Sequence, residues 1–315
     1  MSTKIFNSKY PILEACMNKG STLQLALAVH KAGAYPSLCS WTYQFGTKKN
    51  FSLMHHDLES FSTSTNSNNI HVSFELSELI NYKSECLDII KDFSLPTIEI
   101  IYNIQINQLP KDKFLQNVKL ALGPIKNLGV KVFRRILFPV TEEEQQLHYL
   151  DGFCVKGNDA AGTSNYMNQS GSTLNLFLLQ KKLTPNALII PYGGIGCAQD
   201  VKQYLDLDAE IVAVGTVLAA CAESPIKSET KLAMINATKQ DIVKFVYGNQ
   251  LHYTLNALPF DEYDQVDDPN HTKSLVSGLY NKNTTKGHVY VGHGIDHIKE
   301  ILPCKTVVEN LCSLV

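Results

Sequence analysis

Short apolar runs alternate with segments of helical periodicity along most of the chain, and the runs have strand length. They fall at 12–15 (ILEA), 35–38 (YPSL), 70–74 (IHVSF), 97–101 (TIEII), 130–136 (VKVFRRI), 152–156 (GFCVK), 187–191 (ALIIP) and 211–214 (IVAV). Strands of this kind separated by helices imply repeated βα units and a parallel sheet. Between them, Leu23, Ala26, Leu27 and His30 share one helical face, with Ser21 or Thr22 to cap the start and Gly33 to end it. Residues 112–127, 173–183 and 197–205 carry similar patterns. Eight strands in this rhythm predict an α/β fold, a (β/α)8 TIM barrel. The polar stretch 39–69, with Trp41 and the pair His55-His56, reads as a partly helical excursion between strands 2 and 3.

After the eighth strand the rhythm changes. Helix formers run through 225–247, followed by the turn-rich LPFDEYDQVDDPNHTKS. The expected organisation is a barrel over 1–222, a smaller and mostly helical elaboration covering one face over 223–290, and a C-terminal helix within 291–315 that returns to the barrel.

The seventh and eighth strands each end in small residues, Gly193-Gly194 and Gly215-Thr216. Side chains there would hold a ligand phosphate away from backbone N–H groups, and barrel phosphate sites sit in the loops after these two strands. The pattern predicts a phosphate cradle.

Composition narrows the partners. A net charge of −2 with no long basic run gives no footprint for nucleic acid or an anionic membrane. The N-terminus lacks the apolar core of a signal peptide and no run approaches a membrane span, so a cytoplasmic protein with a small-molecule substrate is expected. The eight cysteines form no CxxC pair, which favours reduced, buried thiols, and the histidines have no cysteine ligands at zinc-site spacing. No metal is expected, and homodimerisation stays open.

Five segments in barrel order resemble the FMN-dependent nitronate monooxygenases: YPILEACMNKGSTLQLALAVHKAGAYPSL, DGFCVKGNDAAGTSN, IIPYGGIG, VAVGTVLAACAES and HVYVGHGIDHIKEILPCKTVVENL. The resemblance implies a flavin site at the C-terminal strand ends. Ala15 and Met17 would present backbone to the ring system, and Ser73 stands where the family commonly has asparagine. Lys156, Gly157, Ala161 and Gly162 belong to the central motif, and Gly193, Gly194, Gly215 and Thr216 would hold the phosphate. Arg135 stands where a lysine approaches the flavin, and a cation there would stabilise the reduced, anionic ring. The other reading of Arg135 is a barrel-interior partner for a carboxylate such as Glu99.

One position departs from the pattern. The motif reads Gly157-Asn158-Asp159-Ala160-Ala161-Gly162-Thr163, with threonine where the resemblance implies a catalytic histidine. A threonine hydroxyl cannot act as a base near neutral pH. Three outcomes follow: an already ionised nitronate that Thr163 orients, a replacement base such as His293, or a different reaction. The functions implied are oxidation of a nitronate-like or other small organic substrate with O2, an NAD(P)H-dependent quinone or enoyl-thioester reductase, or a flavin-binding partner protein without turnover. Tyr43, Tyr166 and Tyr192, near predicted strand ends, offer either aromatic stacking or ordinary rim packing.

Overall fold

Eight fully or nearly buried segments form the parallel strands of a barrel in the computed structural model, which describes residues 5–45, 48–102, 111–140, 149–164, 171–247, 250–255 and 289–315. They are β1 (Ile12–Glu14), β2 (Ser37–Cys39), β3 (His71–Glu75), β4 (Thr97–Ile101), β5 (Lys131–Ile136), β6 (Gly152–Lys156), β7 (Leu188–Tyr192) and β8 (Val212–Val214). Each pairs with its sequence neighbours, and β8 returns to β1 through the register Ile12↔Val212, Leu13↔Ala213, Glu14↔Val214. A bridge Leu13↔Tyr35 joins β1 to the lead-in of β2, so the ring closes. Every expected strand lies within two residues of its observed bounds.

Alternation along the strands sorts side chains to two sides. Outward residues such as Ile12, Phe153, Val155 and Val212 pack beneath helices in one cluster, and Val72, Phe74, Ile98 and Val132 do so in another. Inward residues Leu13, Phe133, Cys154, Ile190 and Ala213 fill the barrel with Phe6 and Tyr35. The Phe6 ring closes the bottom, with centroids 5.1 Å from Tyr35 and 5.6 Å from Phe133. The barrel interior is therefore a packed core below a layer of polar side chains, with a cavity at the strand C-termini.

The helices follow the local signals. Thr22 caps Leu23–Lys31 by accepting from the Leu25 N–H, and Gly33 at φ +85° ends that segment. The excursion after β2 contains a helix over Phe51–Thr65, capped by Asn50. Further helices cover Lys111–Lys126, Thr173–Leu183 and Ala198–Asp206.

Beyond β8 the described part of the elaboration combines helix and strand. A helix forms over Ser228–Ile235, but Ile242–Tyr247 and Gln250–Leu255 form an antiparallel hairpin. The run IVKFVY is rich in β-branched and aromatic residues, and its partner strand pairs with Gly162–Ser164, which supplies the long-range contact that favours strand over helix. The C-terminal helix expected within 291–315 is shorter than that span: a 3₁₀ turn covers His293–His297, and the α-helix begins at Cys304, after Pro303. Cys304, Val308 and Leu311 form its buried face. Residues 256–288 of the elaboration lie outside the described residues.

Candidate active site at the barrel mouth

A cavity of about 590 Å³ opens at the C-terminal ends of the strands. That volume is ordinary for a bound small molecule or cofactor. Ala15, Met17, Arg135, Lys156, Ala161, Gly162, Thr163, Gly193, Gly194, Gly215 and Thr216 all line it. Three other candidates do not. Ser73 is fully buried in β3, below the rim. Gly157 faces away, where an added Cβ would come within 2.6 Å of Thr173 Cα, so its smallness serves strand-to-helix packing. His293 has an exposed side chain and contributes only its backbone N–H, which donates to Asp159 O at 2.9 Å. Its flanking glycines, Gly292 and Gly294, line the cavity instead. Of the tyrosines, Tyr192 lines the cavity, Tyr43 is buried with its hydroxyl on Asp57, and Tyr166 lies outside the described residues.

The glycine loops are locked to the central motif. Gly193 and Gly194 have φ of +108° and +72°, and added Cβ atoms would stand 2.6 Å from Ala160 Cα and 2.8 Å from Asp159 Oδ2. Asp159 is itself fixed, accepting from the Thr173 N–H at 3.0 Å and contacting the Thr173 hydroxyl. Gly292 donates to Thr216 Oγ1 at 3.0 Å, tying the C-terminal segment to the loop after β8. Two helices start at these loops and their N-termini differ. Asp200 caps its own helix by accepting from the Gly196 and Cys197 N–H groups at 2.8 and 3.0 Å. The short helix Thr216–Ala219 starts at Gly215, which has no side chain to cap it, so its start differs from that of the Asp200-capped helix.

A polar layer forms the cavity floor. Glu99 is fully buried and pairs through Oε1 with Arg135 Nε. Its Oε2 accepts from the Tyr192 hydroxyl at 2.7 Å and lies 3.5 Å from His71 Nε2. Burial opposes ionisation of Glu99, yet the Arg135 charge and the His71 hydrogen bond bring it down to about 2, so it is a carboxylate. The paired interior reading of Arg135 is thus the one observed, and the same side chain also reaches the cavity wall. Next to it, burial and the Arg135 charge lower Lys156 to about 7. Among the described residues, no side chain forms a hydrogen bond or ion pair with Lys156 Nζ.

Two lining residues were invisible to the sequence reading. His252 is 5% exposed and stands directly opposite Thr163 in the antiparallel ladder. Tyr290 stacks on it, ring centroids 5.8 Å apart, with its hydroxyl 3.2 Å from His252 Nδ1. The alternation in QLHYTL was the available signal for a strand placing His252 and Thr254 on one face.

The family profile described as nitronate monooxygenase matches residues 141–313, more than half of the chain. The chain belongs to the nitronate monooxygenase family. It is an FMN-dependent oxidoreductase. No curated protein matches the sequence. Among solved structures the fold is similar to that of FabK from Thermotoga maritima, at 19% identity over 99% of this chain and 94% of that one, TM-score 0.77. It is also similar to nitroalkane oxidase from Streptomyces ansochromogenes (16% identity, 98% and 96% covered, TM-score 0.73). A third is the enoyl reductase domain of MlnA from the macrolactin cluster of Bacillus amyloliquefaciens (10%, 98% and 94%, 0.63).

The cavity fits FMN on its own geometry. Gly193 and Gly194, both at positive φ, and the small residues Gly215 and Thr216 line the cavity, and a charged Arg135 stands in its wall. No helix among the described residues is long and apolar enough to cross a membrane. All eight cysteines are free, seven of them buried and Cys197 half-buried.

Proposed function

We propose that the chain oxidises a small nitronate-type anion with O2. FMN, when bound, accepts electrons from the substrate and passes them to oxygen. Gly193, Gly194, Gly215 and Thr216 hold its phosphate, and Ala15 and Met17 present backbone to its ring. Arg135, kept in place by Glu99, contributes positive charge without itself titrating.

The observation that supports an anionic substrate is Lys156. Among the described residues its amine lines the cavity without a hydrogen-bonded carboxylate partner, and an incoming anion would complete its charge balance. Such an anion would also raise the lysine from about 7 and keep it protonated. Thr163 donates a hydrogen bond that orients the substrate, a role within reach of a hydroxyl that cannot remove a carbon-bound proton.

The test is nitrite release from propionate 3-nitronate by the FMN-loaded protein, compared with Lys156→Met. The expected result is turnover in the native protein and a KM raised roughly tenfold or more in the variant, the size of one lost charge-assisted contact. No nitrite from any nitronate with flavin bound would overturn the proposal.

A further inference from the structure

We propose that Cys197, Asp200 and His297 form a binding site for a zinc-type divalent cation, separate from the barrel-mouth cavity, which none of the three lines. The Cys197 Sγ, one carboxylate oxygen of Asp200 and one ring nitrogen of His297 all lie within 4.8 Å of one another, and His297 Nε2 is 3.9 Å from Asp200 Oδ2. Ligand atoms around a tetrahedral zinc stand roughly 3.3–3.7 Å apart, given bond lengths of about 2.0–2.3 Å. The set therefore closes on an ion with shifts of about 1 Å, and the partly exposed side chains of Asp200 and His297 have room for them. Sulfur, nitrogen and a single oxygen select zinc and similar metals over magnesium or calcium, which take oxygen ligands.

Two of the ligands are fixed by a helix start. Cys197 is the N-cap of the helix Ala198–Asp206, and its sulfur accepts from the Asp200 N–H. Asp200 Oδ2 reaches back to accept from the Gly196 and Cys197 N–H groups at 2.8 and 3.0 Å. Both of those bonds end on Oδ2, which leaves Oδ1 to bind a metal while its partner oxygen is oriented by the backbone. Serine, threonine, aspartate and asparagine are the usual N-caps, and a cysteine there adds a soft ligand. A helix N-terminus also favours the thiolate and carboxylate forms that metals require.

The third ligand arrives from the C-terminal segment, on the 3₁₀ turn His293–His297. Its approach depends on Gly196, where an added Cβ would lie 2.6 Å from His297 Cδ2 and 2.8 Å from Gly294 Cα. One nitrogen of His297 is near both the sulfur and the carboxylate, as a shared ion requires. A catalytic cysteine relay would instead set the two ring nitrogens on different partners. Three protein ligands leave a fourth position, and Cys197 and His297 both line a second cavity of about 460 Å³ through which water can fill it.

Cys197 follows Gly194 in the loop after β7, and His297 follows Gly294 in the C-terminal segment, and both glycines line the barrel-mouth cavity. A metal here fastens those two segments together behind the phosphate cradle. Sequence spacing hides such a site, because Asp200 and His297 are 97 positions apart.

The experiment titrates Co2+ into the reduced, metal-free holoprotein and records difference absorbance, with Zn2+ as competitor. One equivalent should give thiolate-to-cobalt charge transfer and tetrahedral ligand-field bands, both erased by Zn2+. Cys197→Ser should abolish the charge transfer; serine is a favoured N-cap, so the helix keeps its start and the loss is not a failure to fold. His297→Gln should weaken binding by about 10²-fold or more, beyond the usual cost of losing a group that only supports a ligand. Excess Zn2+ should raise the thermal midpoint of the native protein and leave that of Cys197→Ser unmoved. Absence of charge transfer in the native protein, charge transfer that survives Cys197→Ser, equal affinity in His297→Gln, or a native midpoint that zinc does not raise would each overturn the site.

Discussion

Glu99→Gln tests whether the polar floor of the cavity is a true ion pair that supports both stability and site. The substitution keeps the volume and leaves an oxygen to accept from Tyr192, but Arg135 loses its carboxylate partner. Two independent routes give the magnitude. A carboxyl that titrates near 4.5 when unfolded and about 2 when folded contributes roughly 3 kcal/mol above its unfolded value. Removing one member of a buried pair costs about 3–5 kcal/mol. Either figure is a large share of the ~5–15 kcal/mol that separates a typical folded domain from its unfolded chain. The sign is set by the depressed folded value: the contribution is complete above the unfolded titration, and it disappears as pH falls through the folded one. Urea unfolding should therefore show a gap of about 3 kcal/mol between native protein and variant at pH 7, narrowing below pH 4.5 and closing toward pH 2. Replacing both members, Glu99→Gln with Arg135→Met, should recover part of the loss, since no charge remains buried alone. A gap below about 1 kcal/mol at pH 7, or one that does not change with pH, would refute the pairing as a stabilising element.

Three further outcomes follow. Gly194→Asp places bulk and a negative charge against Asp159 at a φ of +72°, and should abolish FMN retention on purification; a yellow holoprotein would show that the phosphate lies elsewhere. Thr163→Ala should leave FMN bound and change nitronate turnover only modestly, and a complete loss of turnover with flavin retained would make the hydroxyl essential. Burial raises Glu14 to about 8, tempered by the Ser37 N–H, so the folded chain holds a proton that the unfolded chain releases above about 4.5. Stability then falls as pH rises between those values, by up to roughly 5 kcal/mol, and Glu14→Gln should flatten the slope in pH-dependent unfolding; an unchanged slope would contradict this.

The barrel was legible because each strand is a buried run flanked by turn residues, and burial on both faces leaves few other local structures for TIEII or ALIIP. The glycines at 193, 194 and 215 were legible for the same reason, since strand-end glycines mark close approach. Part of their smallness serves protein packing, however: Gly193 and Gly194 rest on Ala160 and Asp159, a contact between loops some 34 residues apart that local pattern does not reveal. Arg135 was read in two ways because a charge inside a strand signals a partner without naming it, and the geometry shows that it meets Glu99 and the cavity together. His252 was not legible. The run 225–247, read as helix formers throughout, hid the change to strand at Ile242, and the register that sets His252 opposite Thr163 is a pairing across 89 positions of sequence. His293 drew notice by its motif, but the chain uses that position's backbone to grip Asp159.

The central claim is that this cavity holds FMN and passes electrons from a nitronate to it. The purified yellow protein, made anaerobic and mixed separately with propionate 3-nitronate and NADPH, reports on that claim through its flavin absorbance. Rapid bleaching by the nitronate, with colour restored by air and nitrite released, is the result this account predicts. Bleaching by NADPH alone, or by neither compound with flavin still bound, would contradict it.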